Sequence, residues 1–240
     1  VGSAGGTGVS QILPPIAGTS VASPLPQPTL QRPANAAVKF GPEARSAQLY
    51  TEFTIGGARH VIVAYGARSC QPTNVGFAEA QGTEVYSLEC DLTYFGIDDS
   101  PLGPIRIFQD PRIANLGWIY LRRDQNNNYV FPALSYFNQH LIFHIGGRYF
   151  YYPRAWQVVS AITQWPPEYN QYHHLEKDTP VFDLITRQPN VARKGVSTIS
   201  INGPLAPDEE TRIRSIVADE IQAFNNLPAS KMSPENLTFA

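Results

Sequence analysis

From Ala47 onward the chain is written in alternating apolar and polar residues. Gln48-Leu49-Tyr50-Thr51-Glu52-Phe53-Thr54-Ile55 alternates, Gly56-Gly57 follows, and Arg59-His60-Val61-Ile62-Val63-Ala64-Tyr65 comes next. Two such runs joined by a short glycine turn predict a β-hairpin. Thr83 to Phe95 is a long alternating strand, with Val85, Ser87 and Glu89 on one face and Tyr86, Leu88 and Cys90 on the other. Ile105–Phe108 is a short strand after a polar turn over Gly96–Pro104. Trp118–Leu121 and Tyr129–Phe131 flank Asn126-Asn127-Asn128, and asparagine tolerates the left-handed backbone of a tight turn. The clearest hairpin is His140–Ile145, Gly146-Gly147, then Arg148–Tyr152. Glycine supplies positive φ there at no steric cost. Val158–Ile162, Val181–Ile185 and Val196–Ile201 complete the strands.

The period changes once, near the C-terminus. Ile213, Ile216, Val217, Ile221 and Phe224 recur at helical spacing, after Pro207-Asp208-Glu209-Glu210. Those residues open a helix well: a capping candidate, then acids where the helix dipole favours them. Asn225-Asn226 and Pro228 end it, so the pattern predicts an amphipathic helix over about 208–226. About nine strands and one late helix predict a mainly β fold: an antiparallel sandwich or barrel, with the helix covering an open face or end.

The first 38 residues differ in texture. They hold Pro14, Pro15, Pro24, Pro26, Pro28 and Pro33, a Gly/Ser/Ala-rich start, and Arg32 as their one charge. Proline at that density favours extended, polyproline-like backbone. Ile12, Leu13, Ile16, Val21, Leu25 and Leu30 give this arm apolar side chains to lay on a surface, its own domain or a neighbouring subunit. The expected organisation is therefore an arm over residues 1–38 and a single β-rich domain over 39–240.

Composition narrows the function. Charged residues make up 16% of the 240, the net charge is −2 and the pI is about 6.2. The longest basic groupings are Arg122-Arg123 and Arg193-Lys194, which do not make the clustered cationic footprint a nucleic acid requires. No apolar run reaches the length of a membrane-spanning helix. Cys70 and Cys90 are the two cysteines. They either join, closing a loop worth about 3 kcal/mol in the chain-entropy picture, or stay as buried thiols. A start at Val1 fits a chain from which a signal or pro-segment has been removed, and Asn236-Leu237-Thr238 is a glycosylation sequon. These features point to an extracytoplasmic setting, or to an extracellular or viral-type assembly.

Candidate chemistry is sparse. On a strand, His140 and His144 stand about 13 Å apart, too far for one ion with ligand bonds of about 2 Å. Adjacent His173 and His174 point apart, and His60 stands alone. Arg68 beside Cys70 could lower a thiol pKa, but no histidine is near in sequence. Asp98 and Asp99 lack the alternating spacing of a calcium loop. Gly2, Gly5, Gly6 and Gly8 have no strand before them or helix after them, so they do not form a phosphate cradle. No catalytic residue, metal ligand or cofactor is assigned.

The aromatics remain. All three tryptophans fall between Trp118 and Trp165. Trp156, Trp165, Tyr169 and Tyr172 are the candidate ligand or partner contacts, because Trp165-Pro166-Pro167 and Tyr169–Tyr172 read as loop. The leading expectation is a non-enzymatic structural subunit whose arm docks on a neighbouring protein subunit. The alternative is a secreted carbohydrate- or protein-binding module using those aromatics. An enzyme with residues gathered from distant strands, around Asp98, Asp99 and the histidines, is the third reading.

Overall fold

A computed structural model of the chain describes residues 44–78, 83–176, 178–189 and 191–227. The arm and its six apolar contacts lie outside the described residues, as does the sequon at Asn236. The chain forms β1 (Ala44–Ile55), β2 (Ala58–Ala78), β3 (Thr83–Ile97), β4 (Ile105–Gln109), β5 (Asn115–Arg123) and β6 (Tyr129–Gln139). It continues through β7 (Leu141–Ile145), β8 (Arg148–Tyr151), β9 (Trp156–Ile162), β10 (Asn170–His174), β11 (Thr179–Asp183), β12 (Val191–Pro204) and α1 (Pro207–Asn225).

These strands make one closed antiparallel barrel. β1 pairs with β2 on one side and with β12 on the other, which closes the wall. Thr83–Cys90 of β3 pair with β5, and Tyr94–Ile97 pair with β4. The same division recurs around the ring: β6 and β9 carry one half of the wall, β7 and β8 the other. β10 and β11 then share β12. The wall thus follows chain order, and four of its members are long strands broken in the middle. Pro111 and Pro153 sit in two of the breaks, where a missing N–H would interrupt a ladder. Backbone bonds span breaks in neighbouring strands, from the Asp110 N–H to the His140 carbonyl at 2.9 Å and from the Leu175 N–H to the Gln157 carbonyl at 3.0 Å. Among the described strands, closure leaves no unpaired sheet edge.

The sequence pattern reads through into the barrel. Ile55 pairs with Ala58 across Gly56-Gly57, and Ile145 with Arg148 across Gly146-Gly147. All four glycines have positive φ, so both turns are the primed type that matches strand twist. Asp124 Oδ1 accepts the Asn126 and Asn128 N–H groups and shapes the third hairpin. Leu49, Phe53, Ile62, Leu88, Ile119, Phe137, Phe143 and Tyr172 fill the interior. Helix α1 packs on the outside, burying Ile213 and Phe224 against Leu92, Tyr94, Phe108, Ile142 and Tyr149. Its first turn has no side-chain cap; Pro207 starts it, and Asp208, Glu209 and Glu210 follow. No described helix is long and apolar enough to cross a membrane.

Candidate functional site

Side-chain alternation along β2 sends Ile62, Ala64 and Arg68 into the barrel, and Ala67 outward. A bulge between Ser69 and Cys70 shifts the β2–β3 register, so that Cys70 stands opposite Cys90. The two cysteines are joined in a disulfide. Cys90 lies in the interior with Tyr86 and Leu88, on the face the β3 alternation predicts. Cys70 is only half-buried.

Arg68 is 4% exposed. Its guanidinium carbon lies 3.7 Å from the centroid of the Phe137 ring and 5.3 Å from that of Tyr172. Nη2 donates weakly to Cys90 Sγ at 3.7 Å. Burial pushes its pKa down to about 10, so it remains a cation at neutral pH. Among the described residues no carboxylate pairs with it, and its buried Nε has no acceptor. The indole N–H of Trp165 is likewise buried without one. Both residues line a cavity of about 30 Å³, together with Cys70, Phe137, Tyr172 and Ile201. Tyr172 is fixed from behind by donating its hydroxyl to Ser135 Oγ at 2.9 Å. At the rim, Arg45 forms an ion pair with Glu168, which tethers the Trp165–Pro167 loop to the start of β1.

A second buried arginine shows what a structural guanidinium looks like in this fold. Arg193 is 1% exposed. It donates through Nε to Thr179 Oγ1 at 3.0 Å, and through Nη1 to the Gly195 carbonyl at 2.9 Å and Ser197 Oγ at 3.0 Å. Nη2 donates to His174 Nδ1 at 2.9 Å and to the Glu176 carbonyl. Each edge of that guanidinium has a protein acceptor. Arg68 has aromatic faces and a sulfur instead.

His174 serves this structural cluster. Its pKa falls to about 3, first because burial disfavours the cation and second because Arg193 stands beside it. The unfolded chain, at the ordinary 6.5, binds a proton that the folded chain refuses. Stability is therefore expected to fall as pH drops from about 6.5 towards 3. His174→Gln keeps an acceptor for Arg193 and removes that titration. Melting temperatures at pH 7 and pH 4.5 should differ less in the variant than in the wild type; an equal drop would remove His174 from the account.

The four aromatic candidates separate. Trp165 and Tyr172 line the cavity. Trp156 opens β9 and is buried against Phe143 and His174. Tyr169 is 82% exposed, at a positive φ of 52°. Tyr172 stands in a strand, not a loop, because residues 170–173 pair with Thr198–Ile201 of β12. Asp98 pairs with Arg106 on the surface, and no three of His, Cys, Asp and Glu converge as metal ligands among the described residues. Sequence reading treated Arg68 only as a neighbour of Cys70. The signal for its inward direction was the Ile62-Ala64 alternation carried past Gly66, which the Gly break concealed.

No protein-family model and no curated protein matches the chain. Among solved structures it is similar to DynF from the dynemicin biosynthesis pathway of Micromonospora chersina, at 13% sequence identity and a TM-score of 0.58. The likeness covers 75% of this chain and 95% of that one, and at that identity it shows a shared fold.

Proposed function

We propose that the barrel is a non-enzymatic binding module whose pocket beneath Trp165 takes the carboxylate of a small organic acid. The observation that carries this reading is Arg68: a buried cation with no acidic partner among the described residues, lining a cavity. A buried charge is expensive unless something neutralises it. The cavity of about 30 Å³ has room for roughly two water-sized groups, which suits a headgroup better than a sugar ring. A carboxylate there would accept from Arg68 Nε and from the Trp165 indole N–H, two buried donors without an acceptor among the described residues. Phe137 and Tyr172 would flank the bound headgroup, with the rest of the ligand outside the cavity. The reading develops the binding-module alternative through two of its four aromatics. The assembly reading depends on residues 1–38, outside the described residues. A buried disulfide is compatible with an extracytoplasmic location.

The test is calorimetric titration with benzoate, against the neutral isostere benzamide. Benzoate should bind to the wild type, and benzamide at least about tenfold more weakly. Arg68→Met should remove benzoate binding. It should also leave the melting temperature unchanged or raised, because it deletes an unpaired buried charge. Arg193→Met, by contrast, should cost about 3 kcal/mol or more, because it leaves the buried acceptors around Arg193 without their donor. Equal binding of benzoate and benzamide, or undiminished binding by Arg68→Met, would overturn the reading.

A further inference from the structure

The disulfide and the pocket share Arg68, and this has a chemical consequence. The two sulfurs are unequally placed. Cys70 is half-buried and lines the cavity, whereas Cys90 is 1% exposed and sits behind it. The guanidinium contacts the inner sulfur: Arg68 Nη2 is 3.7 Å from Cys90 Sγ. In thiol–disulfide exchange the attacked sulfur must be reachable, and the departing sulfur leaves faster when its thiolate is stabilised. A cation beside a sulfur provides that stabilisation. Access and leaving-group stabilisation thus fall on opposite ends of one bond, in the arrangement that directed exchange needs.

We propose that Cys70 is a thiol–disulfide exchange site reached through the pocket, with Arg68 holding the Cys90 thiolate that departs. The co-reactant is a thiol. An incoming thiolate forms a bond to Cys70 Sγ, the Cys70–Cys90 bond breaks, and its electron pair goes to Cys90 Sγ as a thiolate beside Arg68. With a dithiol, the second thiolate attacks the mixed disulfide and expels the Cys70 thiolate, which takes a proton from water. The dithiol is oxidised to its disulfide, and the protein gains two electrons.

Reduction also changes the pocket. The Cys90 thiolate supplies Arg68 with the anionic partner that it lacks among the described residues of the oxidised chain. A carboxylate ligand would then have to compete with a charge built into β3. Bound ligand and reduction should therefore oppose each other, reciprocally. This second half rests on the reading of the pocket as a carboxylate site; the exchange chemistry does not.

The experiment uses the full chain. Reduced glutathione, a monothiol, is added in brief pulses, free thiols are blocked with iodoacetamide, and peptide mass spectrometry locates the adduct. Glutathione should be on Cys70 and the alkyl group on Cys90. Dithiothreitol reduction is then timed in the wild type, Arg68→Lys and Arg68→Gln. Loss of the cation in Arg68→Gln should slow reduction by about tenfold, and Arg68→Lys should keep most of the rate. Circular dichroism shows which variants are folded. If Arg68→Gln does not fold, the pH dependence of the wild-type alkylation rate at Cys90 serves instead, and a Cys90 thiol with the ordinary pKa overturns the proposal.

Glutathione on Cys90, or equal rates in wild type and a folded Arg68→Gln, also overturns it. Saturating benzoate should slow wild-type reduction, and the reduced protein should bind benzoate more weakly. If the adduct and the rates come out as expected but benzoate does not bind, the exchange site stands and the carboxylate reading falls. If benzoate binds and the rates are equal, the carboxylate reading stands and the exchange site falls.

Discussion

Gly66→Ala is expected to lower the melting temperature by about 10 °C. Gly66 lies in β2, opposite Phe95 of β3. A Cβ at this position would stand 1.9 Å from the Tyr94 carbonyl oxygen and 2.9 Å from the Phe95 Cα. Both obstacles are backbone, so no rotamer change relieves them. Relief requires β2 and β3 to separate. β2 is held on its other flank by β1, which pairs along its whole length, and the barrel is closed. A local separation therefore has to be absorbed around the ring. Overpacking that must move backbone costs about 3 kcal/mol or more, and in a domain of this size each kcal/mol is worth about 2–4 °C. Gly203→Ala is the control: its Cβ would meet nothing nearer than the Tyr169 hydroxyl at 3.8 Å. Thermal unfolding followed by circular dichroism reads both. A Gly66→Ala melting temperature within a degree of Gly203→Ala would mean that the β2–β3 spacing is softer than the closed ring implies.

The second large effect concerns a buried acid. Glu84, on β3, is almost fully buried. It accepts from Arg123 Nε at 2.7 Å, from the Tyr86 hydroxyl at 2.8 Å and from the Tyr129 hydroxyl at 2.9 Å. Burial pushes its carboxyl up, but the hydrogen bonds from Arg123, Tyr86 and Tyr129 outweigh burial and hold it below the ordinary carboxylate value. Glu84→Ala removes the acceptor and leaves a cation and two hydroxyls facing a void. Breaking a buried pair from one side costs about 3–5 kcal/mol, and Glu84→Gln, which keeps one acceptor oxygen, should cost less. The pH dependence has a definite sign. A depressed folded pKa gives stability that is present above the unfolded value of 4.5 and is lost as pH falls through the folded value. The Glu84→Ala penalty should therefore shrink in acid. Urea denaturation of wild type and variant at pH 7 and pH 3 measures this, and a penalty equally large at both would show that packing, not charge, is what Glu84 contributes.

Much of the frame follows from local pattern. The two Gly-Gly hairpins, the Asn126–Asn128 turn, the alternation of β3 and the apolar stripe of α1 are each set within about twenty residues. Turn geometry and side-chain period are properties of neighbouring residues, so they can be read before anything has folded. The face of Cys90 was legible for the same reason. Broken walls were less so: β6 and β7 read as separate strands, and only pairing to β4, β5, β8 and β9 shows them as one line interrupted at His140. Trp156 stands outside the strand that the pattern predicts over Val158–Ile162, although it opens β9; Pro153 ends one strand just before, and a proline signals a break without saying how soon pairing resumes.

The site belongs almost wholly to tertiary structure. That Arg68 is a cation is sequence; that it faces inward is the parity of β2 beyond Gly66; that no acid among the described residues meets it is a fact about strands far away in the chain. Arg193 makes the point by contrast. Its acceptors come from Thr179, Gly195, Ser197, His174 and Glu176, all within about twenty residues, while the surroundings of Arg68 come from β3, β6, β10 and the loop after β9. Alternation decides which face a side chain takes, but only closure of the barrel decides what waits across the interior, because burial, pairing and desolvation are sums over neighbours that the chain brings together from everywhere.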